Sequence, residues 1–331
     1  MDGSESSGRP LRAAVIIVAW NALAFLRACL RSISPDSGSR GPGPFPAVEL
    51  EVFVVDNGST DGSADMVASE FPGVRLIREP ENRGYPAANN IALRLVLAER
   101  RADIVVLLNA DVVAEGRAVE RLAGYLAARP EVAAALPALV LPDGRFQAGA
   151  CGALPTALTL FNYFFGLHKV FPLRAPSFFI DQAAVSRRVG RLSVEWLSGA
   201  CLAVRRSAVE RIGLLNEEYF FYAEDLDWGR RMTRAGMALH YWPGVRVIHF
   251  HGATYQNVLR EINTAWLRML FQYLRAERGR TEYLLGRGFA ACGFLLRAAA
   301  RTVLGFPWTG RARRRKIREA FRFFTFSLTG V

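Results

Sequence analysis

The sequence has little of what builds stapled or metal-knuckle folds. Its four cysteines, Cys29, Cys151, Cys201 and Cys292, are widely spaced and form no CxxC pair. That argues against a disulfide framework or a zinc knuckle and suits a reducing compartment. The opening MDGSESSGRP is polar and acidic, without the apolar stretch of a secretory leader. There is no Gly-rich, Lys-containing phosphate loop and no internal repeat. The longest apolar stretch, 284–306, is interrupted by Arg287, Arg297 and Arg301, which disfavours a spanning helix.

What is present is a large apolar budget with uneven charge. At 331 residues and 51% hydrophobic the chain can bury a full core, as one large α/β domain with an appendage or as two modest domains. Residues 256–331 carry 15 Lys and Arg against 4 Asp and Glu, whereas residues 1–255 carry 27 against 26. The basic excess therefore belongs to the tail. The expected organisation is a disordered 1–10, a body over 11–255, and a basic amphipathic helical tail over 256–331.

Strand and helix patterns alternate at short intervals. LRAAVIIVAW (11–20) predicts a strand and ALAFLRACLRSI (22–33) an amphipathic helix, followed by a Pro/Gly/Ser loop over 34–46. Strands are predicted at 48–56, 74–79 and 103–109, with helices at 65–70 and 86–100 between them. Such alternation argues for a doubly wound, mostly parallel α/β sheet, whose ligands bind beyond the carboxyl ends of the strands. Asn21, Asp56 and Asn109-Ala110-Asp111 all fall at those ends, which predicts a pocket there. The aromatic-rich 161–180 reads as a packing insertion, a flap, or a loop facing membrane or acceptor. Further on, 196–213 predicts a strand leading into a helix, 219–236 a turn and helix, and 240–254 a strand.

Four segments carry chemistry. VVLLNADVV (105–113) is a buried strand emptying into Asn109 and Asp111, a good place to hold a hard divalent cation against phosphate; turn chemistry is the plainer alternative. In VVDNGSTDGS (54–63), Asp56 can accept from a base imide or a ribose hydroxyl, or the segment is an ordinary strand–helix turn capped by Thr60 or Asp61. ENRGYPAANN (81–90) sets Asn82, Arg83 and Gly84 before a helix whose first turn, with Arg83, can face phosphate; its polar groups can equally satisfy their own backbone. YAEDLDWGRR (222–231) holds Glu224, Asp225 and Asp227. On a helix Glu224 and Asp227 share a face and Asp225 points about 100° away. Pairing with the helix dipole explains acids there in general; a carboxylate beside the preceding YFFY also suits a general base. In VRVIHFH (245–251), alternation puts Val245, Val247, His249 and His251 on one face, with a metal role open for one histidine.

Taken in order, AWN, VVDNGSTDGS, ENRGYPAANN, LLNADV, WLSGACLAVRRSAVERIGLLNEEYFFYAEDLDWGRRMTRAG and WPGVRVIHFHGAT resemble glycosyltransferase family 2, and most of all its rhamnosyltransferase-type branch, over about residues 12–255. The resemblance implies a GT-A fold and an inverting transferase using a nucleotide-diphosphate sugar (dTDP- or UDP-linked, rhamnose among the candidates) with Mg²⁺ or Mn²⁺. It implies a nucleotide-sugar site of Asn21, Asp56, Asn57, Arg83, Gly84, Asn109 and Asp111, with the last two at the Asp-x-Asp positions. Asp225 would be the general base with Glu224 beside it, Asp111 and His249 would reach the metal, and Trp196, Gly199, Asp227 and Trp228 would line the acceptor side. Asn109 replaces the first Asp of the strict motif, Ala110 stands where the branch usually has Pro, and Asn216 where it usually has Asp. Direct metal ligation then leans on Asp111.

The implied acceptor is a glycan or lipid-linked sugar in cell-surface polysaccharide or glycolipid synthesis, at the inner face of the cell membrane. RARRRKIREAFRFFTFSL (311–328) joins a basic cluster to Phe321, Phe323, Phe324 and Phe326, which suits an anionic membrane surface; a helical cap with a solvated Arg face is the alternative. No nucleic-acid module accompanies the basic excess. The competing readings are a non-catalytic basic membrane- or nucleic-acid-binding adaptor and a nucleotidyltransferase on a similar sheet.

Overall fold

The structure, a computed structural model, describes residues 10–34, 47–250, 264–303 and 310–329, with backbone alone at 301 and 310–313. The predicted 35–46 loop, His251, the end of the predicted 240–254 strand and the N-terminal nine residues lie outside the described residues. Within them the chain forms two compact units. One takes the residues up to Gln147 together with Gly190–Thr254; the other takes Ala148–Val189 and the residues from Tyr255 onward.

The chain opens with β1 (Leu11–Ala19), α1 (Leu23–Ile33), β2 (Val48–Asn57), α2 (Ser63–Glu70), β3 (Arg75–Glu79), α3 (Tyr85–Glu99) and β4 (Ile104–Asn109). It continues through β5 (Val112–Val113), α4 (Ala118–Ala127) and β6 (Val132–Val140). The second unit then supplies β7 (Cys151–Gly152), α5 (Ala157–Phe164), α6 (Leu167–Val170) and α7 (Gln182–Arg188). The first resumes with β8 (Leu192–Val194), β9 (Trp196–Leu197), β10 (Cys201–Arg205), α8 (Arg206–Ile212), α9 (Glu224–Arg234) and β11 (Ala238–His249). The second closes with α10 (Ala265–Tyr273), a π-helical turn over Leu274–Arg278, α11 (Arg280–Val303) and α12 (Gly310–Thr329).

The first unit is built on a nine-stranded sheet of order β3-β2-β1-β4-β10-β6-β11-β5, with β8 added against β11. β3, β2, β1 and β4 are all parallel, β10 runs against both neighbours, and β6 and β11 are parallel again. This is a mixed, mostly parallel α/β sheet. β1 and β4 are apolar and buried almost throughout, as strands covered on both faces must be. α1 buries Leu26, Cys29, Leu30 and Ile33, one helical stripe, against the sheet. β11 is interrupted by a register shift between Tyr241 and Arg246, where Pro243 denies the ladder a donor.

Strand direction decides where the site lies. Ala19 is level with Asp56, and Val18 with Asn109, so the ends of β1, β2 and β4 open on one edge of the sheet. β10 runs the other way, so its start, after Gly199 and Ala200, comes to that same edge: Asn109 donates its backbone N–H to the Ala200 carbonyl at 3.0 Å. His249, at the end of β11, is level with Val112 of β5, which follows Asp111 directly.

In the second unit, the predicted aromatic insertion is helical. Thr156 and Thr159 form a capping box at the start of α5, and Glu282 accepts from the Ala157 amide. A Cβ on Gly293 would stand 2.6 Å from Cβ of Phe164, so its absence lets α11 approach α5 closely. α12 runs antiparallel to α11, with Phe323 stacked on Phe294 at 4.9 Å and Arg287 Nε donating to the Ser327 carbonyl at 2.7 Å. No described helix is long and apolar enough to cross a membrane. All four cysteines are free.

Candidate active site

Asp111 and His249 meet at the sheet edge. Both are buried, and His249 Nε2 lies 3.1 Å from Asp111 Oδ1. The other ring nitrogen, Nδ1, is 2.6 Å from Gln147 Oε1. An amide oxygen can only accept, so that contact places a proton on Nδ1. When Nε2 carries no proton, its lone pair and the Asp111 oxygen are two acceptors facing each other, an arrangement that a cation between them would resolve. Asn109 Nδ2 reaches the same Nε2 at 3.5 Å, while its Oδ1 is buried without a hydrogen-bond partner. A carboxylate, an imidazole nitrogen and an amide oxygen suit a divalent cation, and the residues present fit one. No group of three or more His, Cys, Asp and Glu capable of holding a metal occurs among the described residues. Ligands beyond Asp111 and His249 would have to come from Asn109, water or a bound phosphate.

Asp56 ends β2 buried, with Oδ2 accepting from the Ser59 amide at 3.3 Å and Oδ1 without a partner. Its neighbours are occupied in holding the loops. Asn21, at φ +49°, donates its amide to Ser59 Oγ at 2.9 Å and accepts from the Thr60 amide at 2.8 Å. Asn57, also buried, donates to Asn82 Oδ1 at 2.9 Å and accepts from the Arg83 amide at 3.0 Å. Asn21 and Asn57 therefore shape the pocket's rim through the backbone. The exposed Arg83 side chain pairs only loosely with Glu79, at 3.3 Å.

Gly84 and Tyr85 connect this rim to the acidic helix. The Tyr85 amide donates to the Phe220 carbonyl at 2.9 Å, and its hydroxyl donates to the Gly199 carbonyl at 3.0 Å. The Gly199 amide in turn faces the Asp225 carboxyl. Tyr222 and Ala223 both adopt positive φ, +69° and +67°, immediately before α9, a strained turn of the kind that accumulates at functional sites.

The three acids of α9 have three different surroundings. Glu224 is buried with Oε2 unpartnered, and burial, then the neighbouring Asp225, push its carboxyl well above the usual range. Asp225 is partly accessible; desolvation pushes it up to about 6, against hydrogen bonds from the Leu226 and Gly199 backbone that act the other way. Enclosure therefore outweighs those backbone hydrogen bonds at this carboxyl. Asp227 differs from the expectation of a pocket residue. Both its oxygens are taken, by Arg230 at 2.7 Å and Arg231 at 2.8 Å, and Arg231 also ties down the carbonyls of Ile212 and Leu214. Trp228 likewise belongs to the core, fully buried with Nε1 donating to the Gly213 carbonyl at 2.9 Å. Trp196 is buried where α9 crosses it: a Cβ on Gly229 would fall 2.8 Å from Trp196 Cα.

Gln147 and Tyr85 were not legible as site residues. Gln147 is a lone amide after a PDGR turn, and its partner His249 lies 102 residues away. Tyr85 opens a helix in a motif whose polar residues draw attention first.

The comparisons with known proteins agree with this architecture. Residues 10–268 match the model described as glycosyltransferase like family 2, and the chain belongs to that glycosyltransferase family. The N-acetylglucosaminyl-diphospho-decaprenol L-rhamnosyltransferase of Mycobacterium tuberculosis is 32% identical over 213 residues, 60% of this chain and 66% of that protein. The chain thus spans just under two thirds of that relative's length. Rhamnosyltransferase WbbL of Escherichia coli strain K12 is 32% identical over 85 residues, 26% of this chain and 32% of that one. Among solved structures, a mannosyltransferase from Pyrobaculum calidifontis in complex with GDP-Man and Mn²⁺ superposes with a TM-score of 0.58 at 20% identity. The match covers 98% of this chain and 88% of that one, a likeness of fold. The protein is a family 2 glycosyltransferase similar to rhamnosyltransferases.

Proposed function

We propose that the protein transfers a sugar, with rhamnose the first candidate, from a dTDP- or UDP-linked donor to a glycan or lipid-linked acceptor with inversion at the anomeric carbon. The similarity to the two rhamnosyltransferases supports the sugar, and the lipid-linked acceptor named for the Mycobacterium tuberculosis one supports the acceptor class. The observation that carries the reading is the convergence of Asp111, His249 and the Asn109 side-chain amide beside the end of β4.

In this reading Asp56 accepts from the nucleoside through its open Oδ1. Asn21 and Asn57 hold the loops around it, and Arg83 and the Gly84 turn meet the diphosphate. Asp111 and His249 would hold Mg²⁺ or Mn²⁺, with Asn109 assisting, and the ion would supply positive charge to offset that of the diphosphate. Asp225 is the general base. Ionised above about pH 6, it takes the proton of the acceptor hydroxyl as that oxygen attacks the anomeric carbon from the face opposite the leaving group. Glu224, whose protonated form is favoured by burial and by the neighbouring Asp225, adds less competing negative charge beside it. Gly199 positions Asp225 through its amide, and Trp196 backs the acceptor side. Trp228 and Asp227 act on the pocket only through the packing of α9.

The test is a thermal-shift and calorimetric screen of UDP and dTDP, each with and without Mn²⁺, on the parent and on Asp111→Asn. Nucleotide binding strengthened by Mn²⁺ in the parent and not in the variant supports the reading. Binding indifferent to both metal and substitution would sink it.

A further inference from the structure

The second unit has a charge and a surface unlike those of the first. Its sequence, residues 148–189 and 255–331, carries 19 Lys and Arg against 5 Asp and Glu, while the rest of the chain carries 23 against 25. Thirteen of the sixteen large apolar side chains exposed among the described residues also belong to it.

Five of them lie in one pattern on α11. Leu284, Leu285, Leu295, Leu296 and Val303 are between 43% and 80% exposed, and Gly288, Cys292, Ala299 and Ala300 between them are exposed too. At helical spacing these positions make a single stripe about 28 Å long, without a charge on it. Of the arginines that interrupt the stretch in sequence, Arg287 and Arg297 point elsewhere. Arg287 donates to the Ser327 carbonyl and to the Tyr283 hydroxyl; Arg297 lies over Tyr163, Phe164 and Phe294. Each neutralises nothing on the outer face and leaves it apolar. The row widens toward α5, where Phe161 packs edge-on against Phe289 at 5.3 Å and is itself exposed beside Leu158 and Phe165.

The phenylalanines of α12 are not part of this surface as the sequence had implied. Phe323 packs against Trp266 and Phe294, and Phe326 is buried against Phe271; of the four, Phe321 alone is fully exposed. What α12 adds outward is charge. Arg314, Arg315 and Arg318 are exposed in its first half, and the antiparallel pairing brings that half alongside the Leu295–Val303 end of the stripe.

We propose that this face of the second unit docks on an anionic lipid bilayer, with α11 lying in the plane of the interface. A large uncharged helical stripe with arginines along its border is the arrangement that seats apolar side chains at the acyl boundary while guanidinium groups meet lipid phosphates. A second copy of the same unit is the poorer occupant. Stacking two surfaces of this charge would set like-charged borders against each other. The inference is independent of the transfer reading, since it concerns partitioning and needs no nucleotide.

The experiment is co-sedimentation of the full chain with vesicles of phosphatidylcholine containing phosphatidylglycerol, and with phosphatidylcholine alone. The parent is expected to pellet with the anionic vesicles and to be released by salt. Leu284→Ser with Leu296→Ser, both at exposed positions, should lower partitioning at least about tenfold. Arg314→Gln, Arg315→Gln and Arg318→Gln together should lower it about a hundredfold on anionic vesicles. The arginine set lies on a different helix and reads the proposal even if the leucine pair fails to fold. A parent that stays in the supernatant overturns the proposal, as do variants that pellet like the parent. A parent dimer dissolved by the leucine pair, with vesicle binding unchanged, assigns the face to a second copy instead.

Discussion

His249 stands between two oxygens, with Asp111 Oδ1 3.1 Å from Nε2 and Gln147 Oε1 2.6 Å from Nδ1. The Gln147 contact selects the tautomer and fixes the ring plane, which is how an outer partner tunes a metal-binding imidazole. Gln147→Leu keeps the volume and removes the acceptor. Mn²⁺-dependent binding of a nucleoside diphosphate should weaken by about 10–100-fold, with metal-free binding unchanged. Titration calorimetry with and without Mn²⁺ decides it; equal affinities would leave Gln147 a packing residue.

Asp225 sets the acid limb of the reaction. With its carboxyl pushed up to about 6 by burial, the fraction able to accept a proton falls as the pH drops through that value, so kcat/KM should decline tenfold per pH unit below it. Asp225→Asn should lower kcat by roughly 10²–10⁴ while donor affinity holds. Rates measured from pH 5 to 8, with donor binding measured in parallel, test both statements. Activity within a few-fold of the parent would remove Asp225 as the base.

Glu224 carries the corresponding stability effect. A buried carboxyl raised above its unfolded value binds more protons in the folded state than in the unfolded one. Its contribution is therefore intact below about pH 4, the unfolded value, and is lost as the pH climbs toward the folded one. Glu224→Gln, neutral at every pH, should raise Tm relative to the parent at pH 8 and lose that advantage at pH 4. Melting curves at the two pH values give the sign, and a parent stabilised by alkali contradicts it.

Gly84 tests the connection between the loop before α3 and the strained turn before α9. It sits at φ +85°, and a Cβ there would lie 2.7 Å from the Phe220 carbonyl oxygen, the same oxygen that accepts from the Tyr85 amide. Gly84→Ala should cost about 1–3 kcal/mol of stability and weaken both donor binding and transfer. Chemical denaturation and steady-state kinetics together check it; a variant as stable as the parent would mean the loop moves freely from the helix.

Much of the site's framework was readable locally. β1, β2 and β4 are runs of β-branched and leucine residues whose ends carry Asn21, Asp56 and Asp111, and strand direction alone brings those ends to one edge. The division of labour among the polar residues was not readable. Asp56 and Asn57 are adjacent and both buried, yet one keeps an oxygen open and the other spends its amide on Asn82 and Arg83. That difference arises from partners about 25 residues away. The same holds for the segment Ala148–Val189, whose association with the C-terminal helices is a long-range packing outcome that no local periodicity encodes.

Asp227 contrasts a structural acid with the proposed catalytic one within a single helical turn. Its carboxylate receives Arg230 and Arg231 in a buried pair, and Arg231 Nη1 and Nη2 each reach a carbonyl, Ile212 and Leu214, at 2.7 Å. Removing the acid leaves two guanidinium groups partly buried without their counter-charge, which costs about 3–5 kcal/mol in such settings. Asp227→Ala should therefore lower stability by that order, while the fraction that remains folded keeps kcat within a few-fold of the parent. The contrast with Asp225→Asn, stable and inactive, follows from geometry: Asp225 lies about 100° round the helix from Glu224, partly open to solvent, whereas both oxygens of Asp227 are spoken for. Denaturation curves paired with active-site-normalised rates distinguish the two. An Asp227→Ala protein of parental stability that fails to turn over would return this residue to the acceptor side of the pocket.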